Sequence, residues 1–114
     1  MTDSRGKVLI LGADGFIGRH LAFGLRDAGW DVLASARRPE RLARMGFDIL
    51  KADLTSPEAQ TKDYWRDKLE DVTHVVNAAG VLHASDATYQ AIHVDAPSAL
   101  YAAMKTARGI LISA

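Results

Sequence analysis

The sequence predicts an α/β fold in which one parallel sheet is doubly wound, with helices on both faces and therefore three layers, αβα. Short apolar runs alternate along the chain with longer segments of helical periodicity. The first, fourth and fifth runs are almost continuously apolar, which is typical of strands buried on both faces. Right-handed crossovers with a reversal after the third strand then give five strands in the order 3-2-1-4-5.

The first strand is predicted over Lys7–Leu11 and the first helix over about Phe16–Ala28. Gly29 follows the helix, as is common at a helix carboxyl terminus. Because Gly24 has no side chain, we expect it to bring the helix close to the sheet. It shares one predicted buried face with four other residues, Ile17, Leu21, Leu25 and Ala28.

Two more strands are predicted in the central part of the chain, over Asp31–Ala36 and about Phe47–Ala52. A short helix between them opens at Pro39, a residue favoured in the first turn of a helix. The segment Thr55-Ser56-Pro57-Glu58 has the spacing of a capping box, in which the threonine accepts from the backbone and the glutamate reaches back. This box is expected to start a helix that ends near Leu69.

The last predicted elements are a fourth strand over Thr73–Asn77, a long helix over about Ser85–Ala107 and a fifth strand over Ile110–Ser113. Pro97 is expected to kink or divide the long helix, because it lacks a backbone donor and crowds the preceding turn. Gly109 is expected to cap this helix at its end.

Composition limits the classes of function. The 114 residues are enough for one domain. Lys plus Arg and Asp plus Glu both total 14, so the chain lacks the basic excess that binds nucleic acid, and we expect no nucleic-acid partner. The sequence has no cysteine, which excludes disulfides and fits a reducing cytoplasm. No apolar run is long enough for a signal peptide or a membrane span, so we expect a cytoplasmic protein without a membrane partner.

Three glycines, Gly12, Gly15 and Gly18, lie between the first strand and the first helix. Glycine at such a junction permits a tight turn, a close approach of the backbone to a phosphate, and close packing of the helix on its strand. The amino end of the helix adds unpaired N–H groups and a partial positive charge, which favour an anion. The segment therefore predicts a site for the diphosphate of a dinucleotide, in the crevice where the strand order reverses.

This G-x-x-G-x-x-G loop, together with motifs at the ends of later strands, resembles the first half of a short-chain dehydrogenase/reductase. It is most similar to the extended and atypical branches, which include nucleotide-sugar epimerases and dehydratases. The resemblance runs from Val8 to Ser113 and implies a Rossmann domain that binds NADP or NAD. Relatives often have threonine or serine in place of Asp14, and we expect this carboxylate to turn aside and cap the helix. The resemblance implies that six loop residues bind the cofactor, Gly12, Asp14, Gly15, Phe16, Ile17 and Gly18.

The end of the second strand is where an acid would bind the ribose hydroxyls of NAD, about twenty residues after the last motif glycine. The chain has Ser35-Ala36-Arg37-Arg38 there and no acid. A guanidinium binds phosphate through paired, charge-assisted hydrogen bonds, so Arg37, with Arg38 and Ser35, favours NADP over NAD. The alternative is that both arginines are solvated and pair with Glu40.

Two further segments end strands at the same edge of the sheet. In similar proteins an aspartate such as Asp53 meets the adenine amino group and an apolar neighbour such as Leu54 lines the ring pocket; alternatively, Asp53 only organises the turn. The segment Asn77-Ala78-Ala79-Gly80 resembles the family's N-A-G segment, in which small residues let the backbone approach the ribose and nicotinamide. The alternative is that small residues relieve crowding where helices meet the strand end.

One catalytic residue is predicted, Ser113, which the resemblance places at the family's catalytic serine. Tyr101 and Lys105 have the Y-x-x-x-K spacing of the family's catalytic pair, but they precede the serine's strand instead of following it, so we interpret them as helix surface. The four histidines show no short metal-ligand spacing, and no metal is expected. One of them, His93, stands where relatives usually have an asparagine that tethers the helix.

The resemblance implies an oxidoreductase, epimerase or dehydratase that moves a hydride to or from a carbonyl or sugar carbon of a small-molecule substrate. Because the family's Tyr-Lys pair and substrate lobe would follow Ala114, we expect residues 1–114 to be a truncated dinucleotide-binding domain that is inactive alone. The alternative is a non-catalytic NADP-binding sensor or scaffold of the atypical branch. The fifth strand is expected to leave a sheet edge through which a homo-oligomer forms.

Overall fold

The computed structural model of the protein describes residues 6–79, 95–103 and 108–111. The strands among these residues are β1, Lys7–Leu11; β2, Asp31–Ala36; β3, Asp48–Lys51; β4, His74–Asn77; and β5, Arg108–Leu111. The helices are α1, Phe16–Asp27; α2, Glu40–Arg44; α3, Lys62–Lys68; and α4, Ala96–Ala103. A 3-10 turn, Glu58–Gln60, precedes α3.

The described strands form one parallel sheet in the order β3-β2-β1-β4-β5. β1 is paired with β2 on one side and with β4 on the other, and Leu11 lies opposite both Ser35 and Asn77. The predicted fold class, a doubly wound parallel α/β sheet, is confirmed. Because the strand order reverses between β1 and β4, a crevice forms at the carboxyl ends of these two strands.

β1 is buried on both faces, as its continuous apolar run predicts. Leu9 and Leu11 belong to a core that includes α3 and α4, whereas Val8 and Ile10 belong to a second core that includes α1 and α2. Helices on both faces of the sheet therefore give the predicted three layers. No helix in the described part of the chain is long and apolar enough to cross a membrane.

α1 packs on the sheet through a face that agrees with the predicted one only in part: of the predicted residues, Leu21 and Leu25 pack against the core. Its buried residues are Gly18 and Ala22, whereas Gly24 is exposed and a Cβ built on it would meet nothing within 4 Å. The prediction that Gly24 brings the helix close to the sheet was wrong, because Gly18 and Ala22 provide the small residues at the contact. Gly29 follows the helix with a φ of 97°, the left-handed conformation expected of a glycine after a helix.

The predicted capping box of Thr55 and Glu58 is not formed. The carboxylate of Asp53 holds Thr55 in the turn after β3 and accepts from its N–H at 2.9 Å and its hydroxyl at 2.6 Å. The capping role passes to Ser56, whose Oγ accepts from the Ala59 N–H at 3.3 Å. The prediction was wrong because an aspartate two residues before a threonine engages it in a local turn.

The predicted single helix up to Leu69 is a 3-10 turn followed by α3. Thr61 separates the two and caps α3, since its Oγ1 accepts from the Tyr64 N–H at 3.4 Å. Trp65 of α3 is fully buried, and its indole N–H donates to the Ala59 carbonyl at 2.8 Å. This bond ties α3 to the 3-10 turn.

The last predicted helix and strand are only partly described. α4 spans Ala96–Ala103 and contains Pro97 as its second residue; the kink predicted at this proline involves preceding residues that lie outside the described ones. Gly109, predicted to cap the long helix, lies instead within β5 opposite Val75, because the pairing with β4 already begins at Arg108. β5 is at an edge of the sheet, and self-association through this edge stays a prediction. The predicted helical residues 85–94 and 104–107 lie outside the described residues.

Candidate functional site

The candidate site lies at the carboxyl ends of β1 and β4, where a loop of residues 12–15 leads from β1 into α1. Backbone hydrogen bonds fix the loop and the segment after β4. The Ala13 N–H donates to the Ser35 carbonyl at 3.0 Å, and the Ala78 N–H donates to the Leu11 carbonyl at 3.0 Å. The crevice is therefore built on main-chain pairing that continues the sheet.

Gly12 is required by both its conformation and its neighbours. Its φ of 71° lies in the left-handed region that favours glycine. A Cβ built on it would lie 2.6 Å from the Cα of Ala79 and 2.7 Å from the nitrogen of that residue. The first glycine of the motif thus lets the end of β1 touch the backbone that follows β4.

Gly18 is required by packing alone. It is buried in the first turn of α1, and a Cβ built on it would overlap the carbonyl oxygen of Gly12. The same Cβ would lie 2.9 Å from the Cα of Ala13. The third glycine therefore lets α1 pack directly on its own loop.

Gly15 differs from the other two motif glycines. Its φ of −75° and ψ of 171° are accessible to any residue. It is exposed, and a Cβ built on it would meet only the Gly12 carbonyl oxygen, at 3.4 Å. Neither conformation nor packing within the described residues requires glycine at this position. Its missing side chain leaves open space over the start of α1.

The start of α1 is uncapped within the described residues. No side chain caps the helix at Gly15, and no acceptor in the described part is hydrogen-bonded to the N–H groups of Phe16, Ile17 or Gly18. Asp14, predicted to cap the helix, is exposed and makes no such bond, because the capping position is taken by Gly15. Unpaired N–H groups at the amino end of a helix of 12 residues carry a partial positive charge.

Two apolar side chains border these N–H groups. Phe16 is 74% exposed and Ile17 is 40% exposed. The Phe16 ring contacts the His20 ring, with 4.6 Å between the centroids. The site therefore combines an electropositive backbone surface with exposed apolar surface beside it.

Arg37 and Arg38 follow β2 and are exposed. Neither takes part in an ion pair within the described residues, so the alternative pairing with Glu40 is not formed. The charge of Arg37 nevertheless acts on Asp53. Hydrogen bonds from Thr55 are the main cause that lowers the pKa of the Asp53 carboxyl, burial opposes them, and the Arg37 charge lowers it further.

Asp53 organises the turn after β3, which is one of the two roles predicted for it. Its Oδ1 accepts both hydrogen bonds from Thr55, whereas its Oδ2 makes no hydrogen bond within the described residues. Leu54 is partly buried and packs against the core that includes α3 and α4. One carboxylate oxygen thus stays available to a donor such as an amino group.

Two polar side chains in the described part are buried, Ser35 with 2% and Asn77 with 3% exposure. They lie on either side of Leu11 in the same row of the sheet. The Asn77 Oδ1 accepts from the Ala79 N–H at 3.2 Å and so fixes the backbone that Gly12 touches. The Ser35 hydroxyl has no hydrogen-bond partner within the described residues.

The predicted catalytic residue, Ser113, lies outside the described residues, as do Gly80, His93 and Lys105. Tyr101 is 37% exposed on α4, in agreement with its interpretation as helix surface. The described residues contain no group of three or more His, Cys, Asp or Glu that could hold a metal ion.

One residue of the site was missed in the sequence. Thr55 donates both hydrogen bonds that orient the Asp53 carboxylate, although the sequence suggested a capping role for it. The signal that identifies this arrangement is an aspartate followed two residues later by a threonine at the end of a strand.

Comparison with known proteins gives one family and several similar structures. The sequence model of the NAD dependent epimerase/dehydratase family matches residues 8–112. No curated protein matches the chain. Among solved structures, the TT0495 protein from Thermus thermophilus is 28% identical with a TM-score of 0.69, and the match covers 87% of this chain and 48% of that chain.

Other solved structures share the fold at lower identity. A short-chain dehydrogenase from Streptomyces avermitilis is 24% identical with a TM-score of 0.80, and the match covers 99% of this chain and 50% of that chain. A short-chain dehydrogenase/reductase superfamily protein from Agrobacterium tumefaciens, solved with bound NAD, is 20% identical with a TM-score of 0.69, covering 92% of this chain and 31% of that chain. The chain therefore spans half or less of the length of these structures.

Proposed function

The chain belongs to the NAD dependent epimerase/dehydratase family, and we propose that its glycine loop binds the diphosphate of a nicotinamide dinucleotide. The observation that carries this proposal is the difference between the three motif glycines. The protein's own backbone fills the space beside Gly12 and Gly18, whereas among the described residues only the Gly12 carbonyl oxygen, at 3.4 Å, borders the space beside Gly15. That space lies next to the unpaired N–H groups of Phe16 and Ile17. A phosphate there would accept these hydrogen bonds and gain from the helix dipole.

The loop fits this group in shape and in charge. Within the described residues no side chain covers the first turn of α1, so the anion meets the backbone directly. The exposed faces of Phe16 and Ile17 provide apolar surface for the rest of the ligand. The exposed Asp14 carboxylate works against an anion and is expected to reduce the affinity.

The same proposal assigns the other residues at the sheet edge. Asp53 offers its free Oδ2 to the adenine amino group and Leu54 lines the ring, because both lie in the turn that follows β3. Asn77 holds the Ala78–Ala79 backbone against the loop, where the ribose and nicotinamide are expected, and Gly80 completes that segment in the proposal. When bound, the nicotinamide ring supplies or accepts a hydride.

We infer a preference for NADP over NAD. Arg37 and Arg38 are exposed at the end of β2 and are unpaired within the described residues, so their guanidinium groups are available to a 2′-phosphate. Ser35 is buried in the sheet row, which makes the arginines the main contacts of the proposed set. No acid stands at the end of β2 for the ribose hydroxyls of NAD.

For the whole protein we propose an oxidoreductase, epimerase or dehydratase that acts on a carbonyl or sugar substrate. Ser113 is the residue proposed to position the substrate oxygen. A cytoplasmic location belongs to the same proposal, since a chain without cysteine fits a reducing compartment. Tight NADPH binding without turnover of any carbonyl or sugar substrate by the whole protein would instead favour a sensor.

Calorimetric titration of the Gly15→Ala variant with NADPH tests the diphosphate site. Its Cβ meets only one atom of the described protein, at 3.4 Å, so the fold is expected to tolerate it. The same Cβ enters the proposed ligand volume, where overpacking lowers the affinity about tenfold or more. Gly24→Ala is the matched control, because Gly24 is exposed on α1 with nothing within 4 Å. Equal affinities of the two variants would contradict the proposal.

Arg37→Ala tests the choice of cofactor. Loss of a charge-assisted contact to the 2′-phosphate is expected to weaken NADPH binding by about 1.5–3 kcal/mol, or roughly tenfold to a hundredfold. Affinity for NADH should stay within a factor of about two, because NADH lacks that phosphate. An unchanged affinity for NADPH would overturn the assignment of Arg37 but leave the diphosphate site in place.

A further inference from the structure

A run of unpaired cations lies beside the proposed 2′-phosphate position. The run comprises four exposed arginines, Arg37, Arg38, Arg41 and Arg44, which we call the arginine patch. Glu40 is the only acid among residues 37–44. None of the four arginines takes part in an ion pair within the described residues. This patch is local, since the whole chain has a formal net charge of zero.

The charge of Arg37, the first residue of this patch, acts at the edge of the sheet where the glycine loop lies. After the hydrogen bonds from Thr55, the charge of Arg37 is a further cause that lowers the pKa of the Asp53 carboxyl at the end of β3. Asp53 is in the turn after β3, and β3 is paired with β2, whose end carries Arg37. A charge felt across these two strand ends is also felt by an anion that approaches them.

We propose that Arg41 and Arg44 steer the dinucleotide electrostatically: without touching it, they speed its association and favour NADPH over NADH in rate. The inference rests on the proposed function. NADPH differs from NADH by one phosphate group, which carries about −1.5 to −2 charges at neutral pH. Steering acts on the approaching ligand and leaves the dissociation rate of the bound ligand unchanged.

The dimensions of α2 fit a collective effect. The helix has five residues and is therefore about 7.5 Å long, at 1.5 Å for each residue. At about 0.01 M salt the Debye length is roughly 30 Å, well beyond the length of α2, so the charges add at low salt and are screened at high salt. The contribution should be larger for Arg41 than for Arg44, because Arg41 is nearer to Arg37 along the chain.

Stopped-flow measurement of NADPH fluorescence with the Arg41→Glu variant tests the proposal. The control is Arg66→Glu, which makes the same change of charge at an exposed position of α3, on the opposite face of the sheet, and also removes the Arg66–Asp63 ion pair. At about 0.01 M salt we expect the association rate constant of Arg41→Glu to fall by roughly threefold to tenfold, with an unchanged dissociation rate constant. The control should keep the wild-type rate, and the smaller change Arg41→Gln should give an intermediate rate.

Two further observations complete the test. At about 0.5 M salt the rates of all variants should converge, and the ratio of NADPH to NADH association rates should shrink in Arg41→Glu at low salt. Equal association rate constants for Arg41→Glu and Arg66→Glu, or a change confined to the dissociation rate constant, would overturn the steering. NADPH binding by the wild type would still support the proposed function. Absence of NADPH binding by the wild-type protein would overturn both.

Discussion

The connections that follow β1 and β3 differ in what accepts hydrogen bonds from the N–H groups at the start of the next helical segment. Both lead from the carboxyl edge of the sheet into a helical segment whose first N–H groups lack intrahelical acceptors. After β3, side-chain oxygens of Asp53, Ser56 and Thr61 accept from the backbone N–H groups of Thr55, Ala59 and Tyr64, respectively. After β1, Gly15 offers no side chain, and the first turn of α1 is uncapped within the described residues.

This difference separates a connection whose capped N–H groups serve the fold from one whose N–H groups are available to an anion. The connection after β3 satisfies several of its N–H groups with its own hydroxyl and carboxylate oxygens, so an anion cannot use those donors. The loop after β1 leaves its donors open to an external acceptor and has no side chain at Gly15 to cover them. An uncapped helix start at the reversal of the sheet is therefore the stronger indication of function.

The largest expected effect comes from changing Gly12 to alanine. Its left-handed φ costs a non-glycine residue about 1–2 kcal/mol, and the overlap with Ala79 adds about 1–3 kcal/mol. Urea unfolding of Gly12→Ala should thus show a loss of roughly 3 kcal/mol, whereas Gly15→Ala should unfold like the wild type. Equal losses for the two variants would remove the distinction between a glycine required by the fold and one kept for a ligand.

A smaller effect is expected in the connection that follows β3, at Thr61. Thr61→Ala removes the cap of α3 and should lower the free energy of unfolding by about 1 kcal/mol. Its affinity for NADPH should equal that of the wild type in calorimetry, because this helix start is not part of the proposed site. A variant of unchanged stability that binds NADPH much more weakly would reverse the assignment of the two connections.

The smallest effect is a pH dependence at Asp53. Its pKa is lowered in the folded protein below the ordinary value of 3.8, mainly by the Thr55 hydroxyl. Its contribution to stability is therefore present above that value and is lost as the pH falls through the folded pKa. Asp53→Asn removes this titration but keeps an acceptor oxygen for Thr55. Urea unfolding from about pH 5 to pH 3 should show a shallower loss of stability for the variant. If the free energy of unfolding of the wild type falls no more steeply with decreasing pH than that of Asp53→Asn, this role of Asp53 is contradicted.

Long-range regularities made much of the fold predictable from the sequence. β1 and β2 occur over the predicted residues Lys7–Leu11 and Asp31–Ala36, because buried parallel strands need continuous apolar runs. The motif glycines and the reversal of the strand order placed the candidate site at the edge of the sheet where the structure has it. Gly29 ended α1 as predicted, because its conformation is a local property.

Local competition between side chains was not predictable in the same way. Thr55 has the spacing of a capping residue, but the nearby Asp53 carboxylate engages it first. Gly24 looks suited to a helix–sheet contact, yet the rotation of α1 puts Gly18 there instead. Asp14 is a good capping residue by type, but the helix begins one residue too late for it. Each outcome depends on geometry that a linear pattern does not contain.

The central claim is that the amide groups at the start of α1 bind the diphosphate of the cofactor. Nitrogen-15 NMR of the protein during titration with NADPH tests it most directly. We predict that the amide resonances of Gly15, Phe16 and Ile17 shift in proportion to occupancy, while those of Ala59 and Tyr64 in the capped connection stay in place. Shifts confined to Ala59 and Tyr64, or binding of NADPH without any shift at residues 15–17, would contradict the account.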